Sequence, residues 1–279
     1  MTGTHAAPPA DGVAAVAAPS IIVIVAMSDE AEPFVSRATR VDEPIAVGGS
    51  LQRVVEIDGV ELLLVQSGIG FVNAAGAATS AIVRSGSLEG VVPTVISAGT
   101  AAGMGEGIEI GDVVAGAEYV NLDADARVFG YRLGQVPGMP ASFHADERLV
   151  EAAVAYDTSV ASAARAGDAS SAGDPSGASR GGWAVRPGLI ASSDAFMTAE
   201  RVIGVRSAFA DVVDVDAVDM ESMAIAQTCH VHHVPFVSVR GISDLAGPDA
   251  HDVHDENLAL TAGRSADVTM HLVRAIVAG

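Results

Sequence analysis

Ile21-Ile22-Val23-Ile24-Val25-Ala26 is an unbroken apolar run that ends on Met27-Ser28-Asp29-Glu30. A run this short, with no polar alternation, predicts a strand over 21–26 buried on both faces, and a helix over 29–38 after it. Further along, residues 51–57 and 60–66 flank Asp58-Gly59, a tight-turn pair that predicts a hairpin. Ser67-Gly68-Ile69-Gly70 then opens a helix to about residue 85. A strand is expected over 94–98, a loop of small residues over 99–107, and a strand over 112–120. An irregular loop over 121–142 and a helix over 145–165 follow. The remaining expectations are a strand over 188–192, a helix from about 198, a helix over 220–232, a strand over 235–240 and a closing helix over 255–278. Strands alternating with helices make this an α/β chain with a mixed, mostly parallel sheet covered on both faces.

The 279 residues suit one domain over 21–279, preceded by an Ala/Pro-rich tail over 1–20. Residues 166–182 (AGDASSAGDPSGASRGG) have the composition of a disordered surface insertion. The net charge is −20, and all 15 cationic residues are arginines. Without lysine there is no Schiff-base chemistry and no phosphate loop ending in Lys. The acidic balance argues against nucleic acid or an anionic membrane surface as partner. Cys229 is the only cysteine, so no intrachain disulfide forms. The first 20 residues contain no arginine, no apolar stretch reaches 18 residues, and a cytoplasmic location is expected.

Ligands of open α/β sheets bind beyond the carboxyl ends of the strands. The residues expected there are Met27 to Glu30, Gly99 to Ala102, Asp194 to Met197, and Ile242 to Asp244, with Asp219, Met220 and Glu221 just before the apolar helix. Carboxylates, a hydroxyl and apolar side chains converging on one edge suit a small neutral ligand with an apolar part. Each acid also has a plainer explanation. Glu30 and Glu221 stand in first helical turns, where the helix dipole alone favours them. Ser243-Asp244 is equally suited to capping a turn. Cys229, His230, His232 and His233 point in different directions around a helix end, so neither a metal nor a cofactor is expected. His251 and His254 are placed in a Pro/Asp loop, facing either the pocket or water. Gly68, Gly70 and Gly76 do not make a dinucleotide fingerprint.

Several stretches resemble one family closely. They are 26–30 (AMSDE), 66–70 (QSGIG), 97–103 (SAGTAAG), 123–140 (DADARVFGYRLGQVPGMP), 193–197 (SDAFM), 218–222 (VDMES) and 237–244 (VSVRGISD). Their order and spacing are those of bacterial 5′-methylthioadenosine/S-adenosylhomocysteine nucleosidases, within the nucleoside phosphorylase superfamily. The resemblance implies a three-layer α/β/α fold and hydrolysis of an N-glycosidic bond, releasing adenine and a 5-thio-substituted ribose. By motif, Glu30 would activate water, Asp244 would protonate or hydrogen-bond adenine N7, and Glu221 would hold the ribose hydroxyls. Phe196 and Met197 would bind the base, with Thr100, Ala101, Ala102 and Ser243 nearby. Ile69, Met220, Phe129, Tyr131, Pro137 and His254 would line the 5′-arm pocket. Part of that wall would come from a partner subunit, which implies a homodimer.

The implied chemistry is physically coherent. Breaking this bond makes the ribose cation-like, and flanking carboxylates stabilise that charge where it develops. Asp29, Glu30 and Glu32, with no basic residue between positions 26 and 35, would repel phosphate, which favours water as nucleophile over a phosphorylase reaction. Thr100 stands where the family usually has serine, Ala102 where glycine is usual, and His254 where phenylalanine is usual. His254 makes one wall more polar, so a sibling nucleosidase for futalosine-type substrates or 5′-deoxyadenosine stays open beside the first expectation. A non-catalytic nucleoside-binding protein would be expected to lack Glu30 or Asp244, and both are present.

Overall fold

A computed structural model of the chain describes residues 18–159, 182–209 and 215–278. Most of the expected tail and insertion lies outside the described residues. The decisive run forms strand β1 (Ile21–Val25), with all five side chains buried. Ile22 and Ile24 enter one hydrophobic cluster, and Ile21, Val23 and Val25 another. Successive strand residues point to opposite faces, so an unbroken apolar run is what a doubly covered sheet requires.

The elements after β1 are α1 (Ser28–Val35), β2 (Arg40–Val41), β3 (Ile45–Val47), β4 (Ser50–Ile57), β5 (Val60–Gln66) and α2 (Phe71–Arg84). Next come β6 (Thr94–Gly103), β7 (Val113–Asn121), β8 (Phe143–His144), α3 (Glu147–Val154), β9 (Val185–Ser192) and α4 (Ala199–Ala208). The chain closes with β10 (Ala217–Asp219), α5 (Ser222–His232), β11 (Phe236–Asp244) and α6 (Ala250–Ala278). The strand order is β10-β9-β7-β11-β6-β1-β5-β4-β2, with β3 on β4 and β8 on β7. β5, β1, β6 and β11 run parallel, as do β7, β9 and β10. Antiparallel pairings join β11 to β7, build the β4–β5 hairpin and attach the short strands β2, β3 and β8. One face packs against α2 and α5, the other against α1, α3 and α6.

The structure departs from the sequence expectations in ways that matter for the site. Residues 99–103 continue β6 instead of forming a loop, because β11 and β10 supply ladder partners for a Gly/Ala segment of poor strand propensity. β10 was not anticipated. It pairs with β9 and also antiparallel with β6, placing Val218 opposite Ala102 and folding the sheet's end back onto its centre. The strand expected over 235–240 runs on to Asp244, through a register shift between Ile242 and Asp244. The helix expected over 145–165 stops at Val154. α6 starts at Ala250, so His251 and His254 stand on a helix and not in a loop. The short strands β2, β3 and β8 carry too few residues for any periodicity to reveal them.

Candidate active site

The ends of β1, β5, β6, β9, β10 and β11 and the starts of α1, α5 and α6 meet at one cleft. Its lining comprises Ala26, Met27, Glu30, Ile69, Thr100 to Ala102, Ala195 to Met197, Val218 to Glu221, Ser243, Asp244 and His254. Glu30, Glu221 and Asp244, well separated in the chain, all face it and are all buried. The other expected residues found there are Met220, Phe196, Met197, Thr100, Ala101, Ala102, Ile69, Ser243 and His254. Phe129, Tyr131 and Pro137 do not line the cleft of their own chain. Phe129 is 78% exposed, on a 3-10 turn over Arg127–Phe129.

Glu30 is the third residue of α1, where it both caps the helix and faces the cleft. Its Oε2 accepts from the backbone N–H of Ala26 (2.8 Å) and Met27 (3.2 Å), which satisfies the helix start as a capping acid does. Its Oε1 accepts from Thr100 N–H (2.8 Å) and the Thr100 hydroxyl (3.1 Å) on β6. The carboxylate is thus clamped between two parallel neighbouring strands. That closeness requires glycine at position 99: a Cβ there would lie 2.5 Å from Glu30 Oε1 and against the Arg240 guanidinium.

Glu221 stands at the start of α5, and its Oε1 accepts from Gly70 N–H at 3.0 Å. Gly70 has φ +95°, a conformation L side chains rarely adopt, and it turns that N–H toward Glu221. Behind Glu221 lies Arg240, fully buried in β11. Its Nε is 2.8 Å from Asp219 Oδ2, and its Nη2 is 3.8 Å from Glu221 Oε2 and 2.8 Å from Ser97 Oγ. Asp219 also accepts from the Ser192 hydroxyl (2.5 Å), from Glu221 and Ser222 N–H, and from the Ser222 hydroxyl. Burial disfavours the Arg240 charge, but Asp219, Glu221 and Glu30 outweigh it and hold the guanidinium protonated. Burial raises the Glu221 carboxyl, opposed by Arg240 and reinforced by Asp219 and Glu30.

Asp244 ends β11 at the bulge. Its Oδ1 accepts from Ala246 N–H (2.8 Å) and its Oδ2 from the Ser243 hydroxyl (3.0 Å). His254 Nδ1 lies 2.9 Å from Ser243 Oγ, and the His254 ring meets Phe196 edge-on, with centroids 6.4 Å apart. The loop carrying Phe196 and Met197 is pinned by Asp123, which accepts from Asp194 N–H (2.7 Å), Ser193 Oγ (3.0 Å) and Arg201 (2.5 Å). Asp194 in turn accepts from Phe71 N–H at the start of α2 (2.7 Å).

Sequence reasoning passed over Arg240 as a functional residue. Its signal was a charge inside the apolar strand 237–244, since a buried cation demands buried partners. Cys229 is buried in the core, and burial pushes its thiol up, away from thiolate chemistry. Among the described residues no cluster of three or more His, Cys, Asp or Glu is placed to hold a metal, and no helix is long and apolar enough to cross a membrane.

Comparison with known proteins gives one consistent picture. The sequence model of the Phosphorylase superfamily matches residues 20–278. The chain is 38% identical to a 5′-methylthioadenosine/S-adenosylhomocysteine nucleosidase of Anoxybacillus flavithermus over 218 residues, 78% of this chain and 82% of the relative. It is 36% identical to the enzyme of that name from Geobacillus thermodenitrificans over 256 residues, 91% of this chain and 96% of the relative. Among solved structures, the Neisseria meningitidis nucleosidase in complex with methylthio-immucillin-A superposes with a TM-score of 0.74 at 37% identity. That match covers 91% of this chain and 98% of the other.

Proposed function

The chain belongs to the phosphorylase superfamily, and from that membership and its cleft we propose that it hydrolyses the N-glycosidic bond of 5′-methylthioadenosine and S-adenosylhomocysteine. The products are adenine and the 5-thio-substituted ribose. One observation carries the proposal: Glu30, Glu221 and Asp244 share a cleft with Phe196, Met197, Ile69 and Met220. Acids for the sugar and the leaving group, an aromatic ring for a base and apolar walls for a thioether are the groups this reaction needs.

In this reading Glu30 takes a proton from the attacking water. The Thr100 hydroxyl rotates away from Oε1 to free a lone pair, while the three N–H donors hold the carboxylate in place. Glu221 accepts from the ribose hydroxyls. Arg240 neutralises Asp219 behind it, which leaves the Glu30 carboxylate to stabilise the positive charge developing on the ring. Asp244 donates a proton to N7 as the C1′–N9 bond breaks, so that a neutral base departs. Among the described residues no arginine lines the cleft, and Arg240 is engaged by Asp219. No free cation among the described residues stands ready for a phosphate nucleophile, which favours water.

The working form is a cytoplasmic homodimer. An apolar groove between α2 and α5, lined by Phe71, Val72, Ala75, Met223 and Val231, opens next to the cleft, and Val72 is 84% exposed on it. A second copy seated there would cover that face and bring its Phe129, Tyr131 and Pro137 to the open end of the cleft as the outer wall of the 5′-arm pocket. The test is direct. Purified full-length chain is incubated with methylthioadenosine in phosphate-free buffer, and free adenine is followed by liquid chromatography. Phosphate-independent release is expected, and release that requires added phosphate would overturn the hydrolytic assignment.

A further inference from the structure

We propose that His254 is the residue through which Asp244 recovers the proton it gives to the departing base, with the Ser243 hydroxyl as the bridge. The relay presupposes the nucleosidase chemistry above and deepens it. A hydroxyl carries a single proton, and Ser243 Oγ lies 3.0 Å from Asp244 Oδ2 and 3.3 Å from the Ala101 carbonyl oxygen, both acceptors. His254 Nδ1 lies 2.9 Å from the same hydroxyl, and whether it donates or accepts follows the protonation of the ring. When the ring is protonated Nδ1 can only donate, and the chain of hydrogen bonds then runs His254 Nδ1–H to Ser243 Oγ–H to Asp244 Oδ2. Direct transfer is too long, since Nδ1 and Oδ2 are 4.0 Å apart.

Exposure assigns the entry point. Ser243 and Asp244 are buried, whereas the His254 side chain keeps 18% of its surface accessible, the one member of the trio in touch with water. Imidazole exchanges protons near neutral pH, as a serine hydroxyl cannot. The titratable group against the His254 ring is Asp244 of β11. On α6 itself, His251 and Asp255 are exposed and 3.7 Å from each other, while Glu30 and Glu221 lie elsewhere along the same cleft. Phe196, packed edge-on, is uncharged.

The protons balance. In the bond-breaking step the Asp244 O–H bond breaks as N7–H forms, and the C1′–N9 electron pair withdraws into the base. Glu30 holds the proton lost by water and later releases it to solvent. In recovery, imidazolium Nδ1–H passes to Ser243 Oγ as the serine proton passes to Asp244 Oδ2. Neutral His254 then takes its next proton from water.

The test compares wild type, His254→Phe and His254→Gln as full-length chains, following kcat from pH 5 to pH 9. One substrate is methylthioadenosine. The other is 4-nitrophenyl 5-methylthioriboside, whose phenolate leaves without a proton. Glutamine can keep a hydrogen bond to Ser243 but cannot titrate. Both variants are expected to lose turnover of methylthioadenosine with rising pH, the alkaline limb moving at least one pH unit toward acid. The ratio of kcat for methylthioadenosine to that for the nitrophenyl riboside should fall at least tenfold at pH 8. An unmoved pH profile, equal slowing of both substrates, full rescue by glutamine, or a change confined to KM would each overturn the relay. The last two would leave His254 a packing or arm-binding residue. Absence of adenine release by the wild type would instead remove the nucleosidase chemistry, and the relay with it.

Discussion

Replacing Glu30 with glutamine looks isosteric, but the structure says it is not neutral. Four donors converge on the carboxylate, two on each oxygen. A glutamine amide offers one acceptor oxygen and one donor nitrogen. Turned toward β1, its NH2 would face the N–H groups of Ala26 and Met27, and both would lose their acceptor. Turned toward β6, it would face Thr100 N–H, which cannot move, and the Thr100 hydroxyl, which can rotate and accept. The second orientation is cheaper and leaves one buried N–H unpaired, at a cost of about 1–3 kcal/mol. For a domain of this size that lowers Tm by roughly 2–12 °C. Activity should fall much further. Loss of a positioned general base costs on the order of 10²–10⁴-fold, and loss of a charge facing the ribose cation adds about 10²–10³-fold. Steady-state adenine release and differential scanning fluorimetry read the two effects, and adenine binding measured by calorimetry should persist. Turnover within tenfold of wild type would refute Glu30 as base, and an unchanged Tm would refute the account of its four donors.

Three further outcomes are expected. Arg240→Met leaves Asp219 buried without its countercharge, so urea denaturation should show a loss of about 3–5 kcal/mol; a loss under 1 kcal/mol would contradict the buried pairing. Burial raises the Glu221 carboxyl to about 8, so the folded state holds a proton there that the unfolded chain releases near its ordinary carboxylate range. Its contribution is present below the unfolded value and is lost as pH rises through the folded one. Stability should therefore fall between about pH 4.5 and 8, and Glu221→Gln should flatten that decline in denaturation curves at pH 5, 6.5 and 8; parallel wild-type and variant curves would count against it. Phe129→Ala should raise KM for methylthioadenosine severalfold while leaving kcat and the cleft of its own chain intact, because that ring is offered to a partner. An analytical ultracentrifuge showing only monomer at working concentration would remove the basis for the effect.

Much of this molecule could be read from residue types. The 21–26 run gave β1 and its two covered faces, and Asp58-Gly59 gave the hairpin, because apolar periodicity and turn chemistry are local. Glu30, Glu221 and Asp244 are legible as site candidates because each follows a strand or opens a helix, and the structure brings all three to one cleft. The misses have a common cause. Segment 99–103 and β10 become strands only because distant neighbours offer ladder partners, and nothing in Gly-Thr-Ala-Ala-Gly states that. Arg240 looks like an isolated cation until Asp219 and Glu221 arrive on either side. His254 was placed in a loop because Pro248-Asp249 reads as a turn, and that turn in fact starts α6.

β11 lies between β6 and β7 at the middle of the sheet although it follows every other described strand in the chain. During translation β6 and β7 have no central partner until residues 236–244 emerge, and Asp244 cannot meet Glu30 before then. On the proposed mechanism a polypeptide lacking that segment would release no adenine. It also presents two open strand edges that invite aggregation, so shielding by chaperones would count most for this enzyme until the β11 segment has been made.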